Sequence, residues 1–203
     1  MKKDLVVLAP DITVKVTLDC LLNRNRDFEI RKISWETFVH PLRDPGVYSN
    51  SDSFLRSYIN DYHFALILMD KEGSGQEAKP YDSLIEEMKR KMERNGWSDR
   101  VGVIVFDPEL EIWAWINSPH LARVLGWPDY TTLKNTLVDN GLWDHHRPKP
   151  VRPKEAFEFA LKTKRIPRSS SIYREIAIAV DFNMCREPSF QALKNMLNQW
   201  FPK

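Results

Sequence analysis

What this chain has little of narrows it first. No run of about 18 apolar residues, the length that suggests a membrane-spanning helix, occurs anywhere, so no membrane span is expected. Two cysteines, Cys20 and Cys185, lie far apart without metal-type spacing; a reducing, cytoplasmic setting fits them. The Met-Lys-Lys-Asp start leads into an apolar run that Asp11 and Lys15 interrupt, which speaks against a secretory signal. Only seven glycines are present, and none builds a Walker or Rossmann phosphate loop: Gly73-Ser-Gly75 is too short and lacks the lysine. No Ser-His-Asp elbow or Cys-His pair is visible, which argues against hydrolases of those classes. Charge of one sign is lacking too. Thirty Lys and Arg against 28 Asp and Glu leave a net +2, so an argument for nucleic acid has to rest on local clusters.

What is present begins with two short apolar runs. Phe64 to Met69 ends abruptly in Asp70, and Val101 to Phe106 runs into Asp107-Pro-Glu-Leu-Glu111. Uncharged runs of this length, bounded by turn residues, read as strands buried on both faces, and such strands usually belong to a parallel sheet covered by helices. Leu5 to Leu8 reads as a first strand, Val14 to Leu22 as a helix opened by Asp11 or Thr13, and Phe28 to Ile33 as a half-exposed outer strand. Residues 35–50, with Val39-His-Pro-Leu-Arg-Asp-Pro-Gly46, read as a long irregular connection because two prolines and a glycine interrupt them. It is either a stiff cover over the sheet edge or a functional loop carrying His40, Arg43 and Asp44. Helices are expected from Ser51 to Tyr62 and from Tyr81 to Asn95. The alternation predicts an α/β fold with a mostly parallel central sheet flanked by helices. After Asp107 the pattern is helical: Glu109 to Ile116, a short helix after Ser118-Pro119, one capped by Thr131 or Thr132, and others opening at Pro153, Ser169 and Pro188. The expected organisation is a core over 1–117 and a helical C-terminal region over 118–203.

In open α/β sheets, ligands sit beyond the carboxyl ends of the strands. Asp70, Glu72, Asp107, Glu109 and Glu111 all follow strand ends, so they are the candidate ligands for magnesium, which takes oxygen donors and one or two protein carboxylates. Asp70 and Glu72 are the candidate catalytic pair. Glu109 and Glu111 also suit a first helical turn, where the dipole favours acids in any case. A second cluster, His145-His-Arg-Pro-Lys-Pro-Val-Arg-Pro-Lys154, continues in Lys164, Arg165 and Arg168. Lys149, Arg152, Lys154, Lys164, Arg165 and Arg168 form a candidate patch for DNA or RNA phosphates, or else a solvated linker and helix face. The adjacent histidines lack further ligands at metal spacing. Trp113 and Trp115, two apart on an expected helix, diverge by about 200°, so one is expected against the helical region or a partner.

These residues carry a resemblance. A strand ending Met69-Asp70-Lys-Glu72-Gly and a later strand leading into Pro-Glu-Leu-Glu-Ile-Trp-Ala-Trp115 resemble the Toprim-like proteins of bacterial defence and mobile loci. Val39–Gly46, Asp70–Gly75, Asp107–Glu111, Asn117–His120, Arg168–Ser170 and Trp200–Pro202 look like segments of the small Toprim-like component of methylation-associated antiphage defence. The resemblance implies a Toprim-like sheet, a magnesium-dependent phosphoryl-transfer or nuclease site on nucleic acid, and partners among the other defence proteins. The alternative is a non-catalytic assembly or sensor subunit with a degenerate site. Toprim enzymes carry a Glu at the end of the first strand for acid–base work; here Leu8-Ala9-Pro10-Asp11 stands there, and Asp11 is the acid nearest that place. Asp70-Lys-Glu72 likewise departs from the family's Asp-x-Asp.

Overall fold

A computed structural model describes residues 2–181 and 184–203. Four parallel strands, β1 (Lys3–Ala9), β2 (Trp35–Val39), β3 (Tyr62–Asp70) and β4 (Val101–Phe106), form one sheet in the order β2-β1-β3-β4. The register sets Leu8 beside Phe38 and Ile67, and Asp70 beside Phe106. Side chains alternate across a strand, and each face of this sheet builds its own core. Val6, Leu8, Ala65, Ile67, Met69, Val103 and Val105 pack with α2 (Arg43–Leu55) and α3 (Tyr81–Met92). Leu5, Val7, Ala9, Leu66, Leu68, Ile104 and Phe106 pack with α1 (Ile12–Asn23) on the other face. That second cluster continues without a break into the C-terminal helices α4 (Pro119–Val124), α5 (Tyr130–Asp139), α6 (Pro153–Thr163), α7 (Ser170–Ala179) and α8 (Pro188–Trp200). The expected α/β class, parallel sheet and helical C-terminal region are all present.

The helix expected from Ser51 to Tyr62 starts earlier, at Arg43, gives way after Leu55 to a 3-10 turn over Arg56–Tyr58, and leaves Tyr62 to β3. Three further local expectations fail. Phe28 to Ile33 is not the outer strand. Its apolar residues are buried, but Glu29 takes φ 56, a turn conformation, and Ile30 makes only an isolated bridge to Pro202. The outer strand is Trp35–Val39, inside the segment expected to be irregular. The two prolines and the glycine of that segment do not prevent a helix either. Pro45 falls in the first turn of α2, where its missing N–H has no intrahelical partner to lose. Gly46 is there because a Cβ would overlap the His40 ring and come within 2.6 Å of Leu42 Cβ. Finally, Leu110–Trp113 is a single 3-10 turn and not a helix through Ile116, and both tryptophans are buried. Trp113 meets Phe106 and Phe190 edge-on and donates to Ser189 Oγ (2.8 Å). Trp115 packs edge-on to Trp143 and Phe157 and donates to the Pro153 carbonyl (3.0 Å). The divergence of the two is accommodated because core lies on both sides of the segment. A smaller correction concerns α5, whose cap is Asp129, accepting from the Thr132 N–H (2.7 Å), and neither threonine.

Candidate active site

The chain leaves β1 through α1 for β2 on one side of β1, and β3 lies on the other side. The connections after β1 and β3 therefore part at the point where ligands settle in open α/β sheets. A cleft of about 390 Å³ opens there, lined by Asp11, Arg43, Asp44, Asp70, Glu72, Glu111, Lys154 and Arg168 among others. It draws on the segments that follow all four strands and adds two cations from the C-terminal helical region.

Asp70 closes β3. Its Oδ1 accepts the Leu110 N–H (2.9 Å), while its own N–H donates to Asp44 Oδ1 (2.7 Å). Burial, then the charges of Asp44 and Glu111, raise the Asp70 carboxyl well above the usual carboxylate range, against the Leu110 N–H and Lys154. Asp44 is pushed up to about 6, chiefly by burial, with the charge of Asp11 adding to it and the Asp70 N–H opposing it. Two carboxyls thus share one desolvated corner, and the charge of Asp44 makes ionisation of Asp70 costlier. Glu111, 2% exposed, accepts from the Tyr173 hydroxyl and from Arg168 Nη2 (2.9 Å). Arg168 is fixed in turn by Nε to Tyr173 Oη (2.8 Å) and by Glu158 (3.2 Å). Glu109 accepts from Lys154 (3.0 Å), and burial raises its carboxyl.

The other expected site residues are spread more widely. Glu72 is exposed, and lines both this cleft and an adjoining one of about 380 Å³ that also holds Glu109, Arg152 and Lys154. Asp107 leaves the group: it faces a separate cleft of about 270 Å³ with Tyr81 and Glu187, and pairs with Lys71 at 3.6 Å. Asp11 lines the cleft, but its Oδ1 caps α1 through the Thr13 and Val14 N–H groups (2.8 and 2.9 Å). Among the described residues, the ligand atoms of no three of these acids lie within 4.8 Å of one another. The group among the described residues that meets that spacing is Asp144, His145 and His146, all exposed, so the histidines do have a third candidate ligand.

Of the basic residues, Lys149 is a brace, donating to the Ile112 carbonyl (2.6 Å) and pairing with Glu187 (2.7 Å). Arg152 pairs with Glu155 (2.6 Å) in solvent. Lys164 lies over the Trp127 ring at 4.2 Å. Arg165 is exposed and lines a cleft of about 480 Å³ with Lys162. Lys154 and Arg168 face the carboxylates instead. His40 is buried and seats its loop: Nδ1 accepts the Leu42 N–H (3.1 Å), and the ring packs on Phe54.

Compared with protein-family models, with curated proteins and with solved structures, the chain matches none. What it can do is therefore argued from the cleft itself. Magnesium needs hard oxygen donors and only one or two protein carboxylates, the rest being water or substrate oxygens. Asp44 and Asp70 fit: they adjoin, each uses one oxygen on a backbone N–H, and the charge of Asp44 against Asp70 is what a cation relieves. Glu109 and Glu111 fit less well, because Lys154 and Arg168 already balance them.

Proposed function

We propose that the cleft is a divalent-metal-dependent phosphoryl-transfer site acting on nucleic acid, within a component of a bacterial antiphage defence system. The observation that carries the reading is the meeting of Asp44 and Asp70 with Lys154 and Arg168 in one cleft at the switch point of a parallel sheet. Asp70 and Asp44 would hold the cation, with Glu72 at the mouth. A bound cation supplies charge neutralisation on a phosphoryl oxygen and a more acidic water. Lys154 and Arg168 face the same space and suit non-bridging phosphate oxygens. The Glu111–Tyr173–Arg168 bonds hold the guanidinium in one orientation, so little entropy is lost when a phosphate meets it. The defence setting and its protein partners rest on the resemblance of the segments from Val39 to Pro202.

A second reading keeps the defence role without catalysis. Ala9 stands where the resembling enzymes carry Glu, and Asp11 is engaged as a helix cap. A degenerate site in an assembly or sensor subunit is consistent with both. Phage protection by Asp70→Asn, with folding checked by thermal melt, separates the two. The catalytic reading expects protection to be lost at an undiminished melting temperature; full protection by the folded variant leaves only the subunit.

A further inference from the structure

The loop after β3 carries a feature that the carboxylate chemistry does not use. Gly73 and Gly75 both take positive φ, 81 and 76. Their N–H groups converge on one atom: Glu77 Oε1 accepts from Gly73 at 2.8 Å and from Gly75 at 3.1 Å. Ser74 between them is 2% exposed and pins the turn from below. Its hydroxyl donates to the Lys71 carbonyl (2.6 Å) and accepts the Gln76 N–H (3.1 Å). The space on the Cβ side of both glycines is open: beyond their chain neighbours, nothing lies within 4 Å of a Cβ built there. Gly73 lines the cleft beside Asp70 and Glu72. Backbone N–H groups gathered by such turns form concave anion sites; here those of Gly73 and Gly75 converge, while the Ser74 N–H between them turns back to the Lys71 carbonyl (3.3 Å). The group in this one is the chain's own exposed carboxylate, held below its ordinary range by its own N–H first and then by those of Gly75 and Gly73.

We propose that the Gly73 and Gly75 N–H groups are an oxyanion cradle for a phosphate group at the lip of the cleft, and that Glu77 occupies it as a built-in competitor. A phosphate oxygen accepts both N–H groups as Glu77 Oε1 does, which leaves its other oxygens to water or to the cations that line the same cleft. Displacing Glu77 releases an exposed side chain to solvent and leaves the pinned turn intact. The identity of the phosphate as the substrate's own rests on the function proposed above; the binding does not.

The test is a titration of the isotopically labelled full chain with inorganic phosphate, following the Gly73 and Gly75 amide resonances, against sodium chloride at matched ionic strength. Phosphate is expected to shift both amides saturably. Glu77→Ala should tighten that binding about 2- to 10-fold, the equivalent of one net hydrogen bond. Glu77→Gln, which keeps a neutral acceptor on the same N–H groups, should fall between. Gly75→Ala, which opposes the positive φ, should abolish the shifts. Unmoved amides in the wild type and in both Glu77 variants, or weaker binding after either substitution, overturn the cradle. Saturable phosphate binding in a chain without metal-dependent hydrolysis would leave the cradle standing and remove the catalytic reading.

Discussion

Replacing Asp44 by Asn should stabilise this protein at neutral and alkaline pH, with the gain building up between about 3.8 and 6 and absent at acid pH. Burial, and after it the charge of Asp11, raise the carboxyl from its ordinary 3.8 to about 6. The folded state therefore favours the protonated form. The stability this gives is fully present below the unfolded value and is lost as pH rises through about 6. A rise of that size corresponds to about 3 kcal/mol at pH 8. Asn keeps an oxygen for the Asp70 N–H and removes the charge. Asp44 is only partly buried, and solvent screening trims the gain to about 2 kcal/mol, or about 4–8 °C in melting temperature for a chain of this size. Thermal melts at pH 4 and pH 8 in a metal chelator would read it. A gain at pH 8 that vanishes at pH 4 is expected. An equal difference at both pH values, or a less stable variant at pH 8, would refute the argument that the cleft holds its carboxylates at an energetic cost.

Other outcomes follow from the same contacts. Arg168→Ala should lower stability by about 3 kcal/mol, because Glu111 at 2% exposure then keeps a buried charge with only the Tyr173 hydroxyl; a chemical denaturation curve checks this, and no change would mean the pair is solvated. If the basic surface meets nucleic acid, Lys162→Ala with Arg165→Ala, both exposed, should flatten the dependence of affinity on salt without changing the melting temperature; binding by wild type with an unchanged slope in the variant would exclude that surface. Gly102→Ala should cost about 1–3 kcal/mol, since the added methyl overlaps Met196 and lies 2.8 Å from Trp200 Cη2 where α8 covers β4; a melt within a degree of wild type would show that α8 shifts freely.

The parallel sheet was legible because buried strands are simple: Phe64–Met69 and Val101–Phe106 have no charges and sharp ends. Helices opened by Pro153 and Pro188 were legible for the same local reason, a proline placed in a first turn. The outer strand was not. Trp35-Glu-Thr-Phe-Val39 has a weaker pattern than Phe28–Ile33, and pairing with β1 decides between them. The site depends on that strand. An irregular 35–50 leaves Asp44 in a loop, whereas a strand over Trp35–Val39 sets it at the head of a helix beside Asp70. A cue existed, an acid shortly after a strand end, but it depends on knowing where the strand is. Asp107 failed for the opposite reason. It lies at a strand end as expected, yet the chain turns it toward Tyr81 and Lys71, which only tertiary structure shows. Lys154 and Arg168 were visible as basic residues, but their pairing with Glu109 and Glu111 across 45 and 57 residues was not.

Metal-dependent hydrolysis of phosphodiesters by the purified chain tests the central claim most directly. Single-stranded and duplex DNA and RNA would be incubated at pH 8 with magnesium or manganese, with chelator, and with Asp70→Asn in place of wild type. The account predicts cleavage by wild type with metal, none with chelator, and none by an Asp70→Asn protein that melts no lower than wild type. Equal cleavage by the folded variant, or cleavage that persists in chelator, would contradict it.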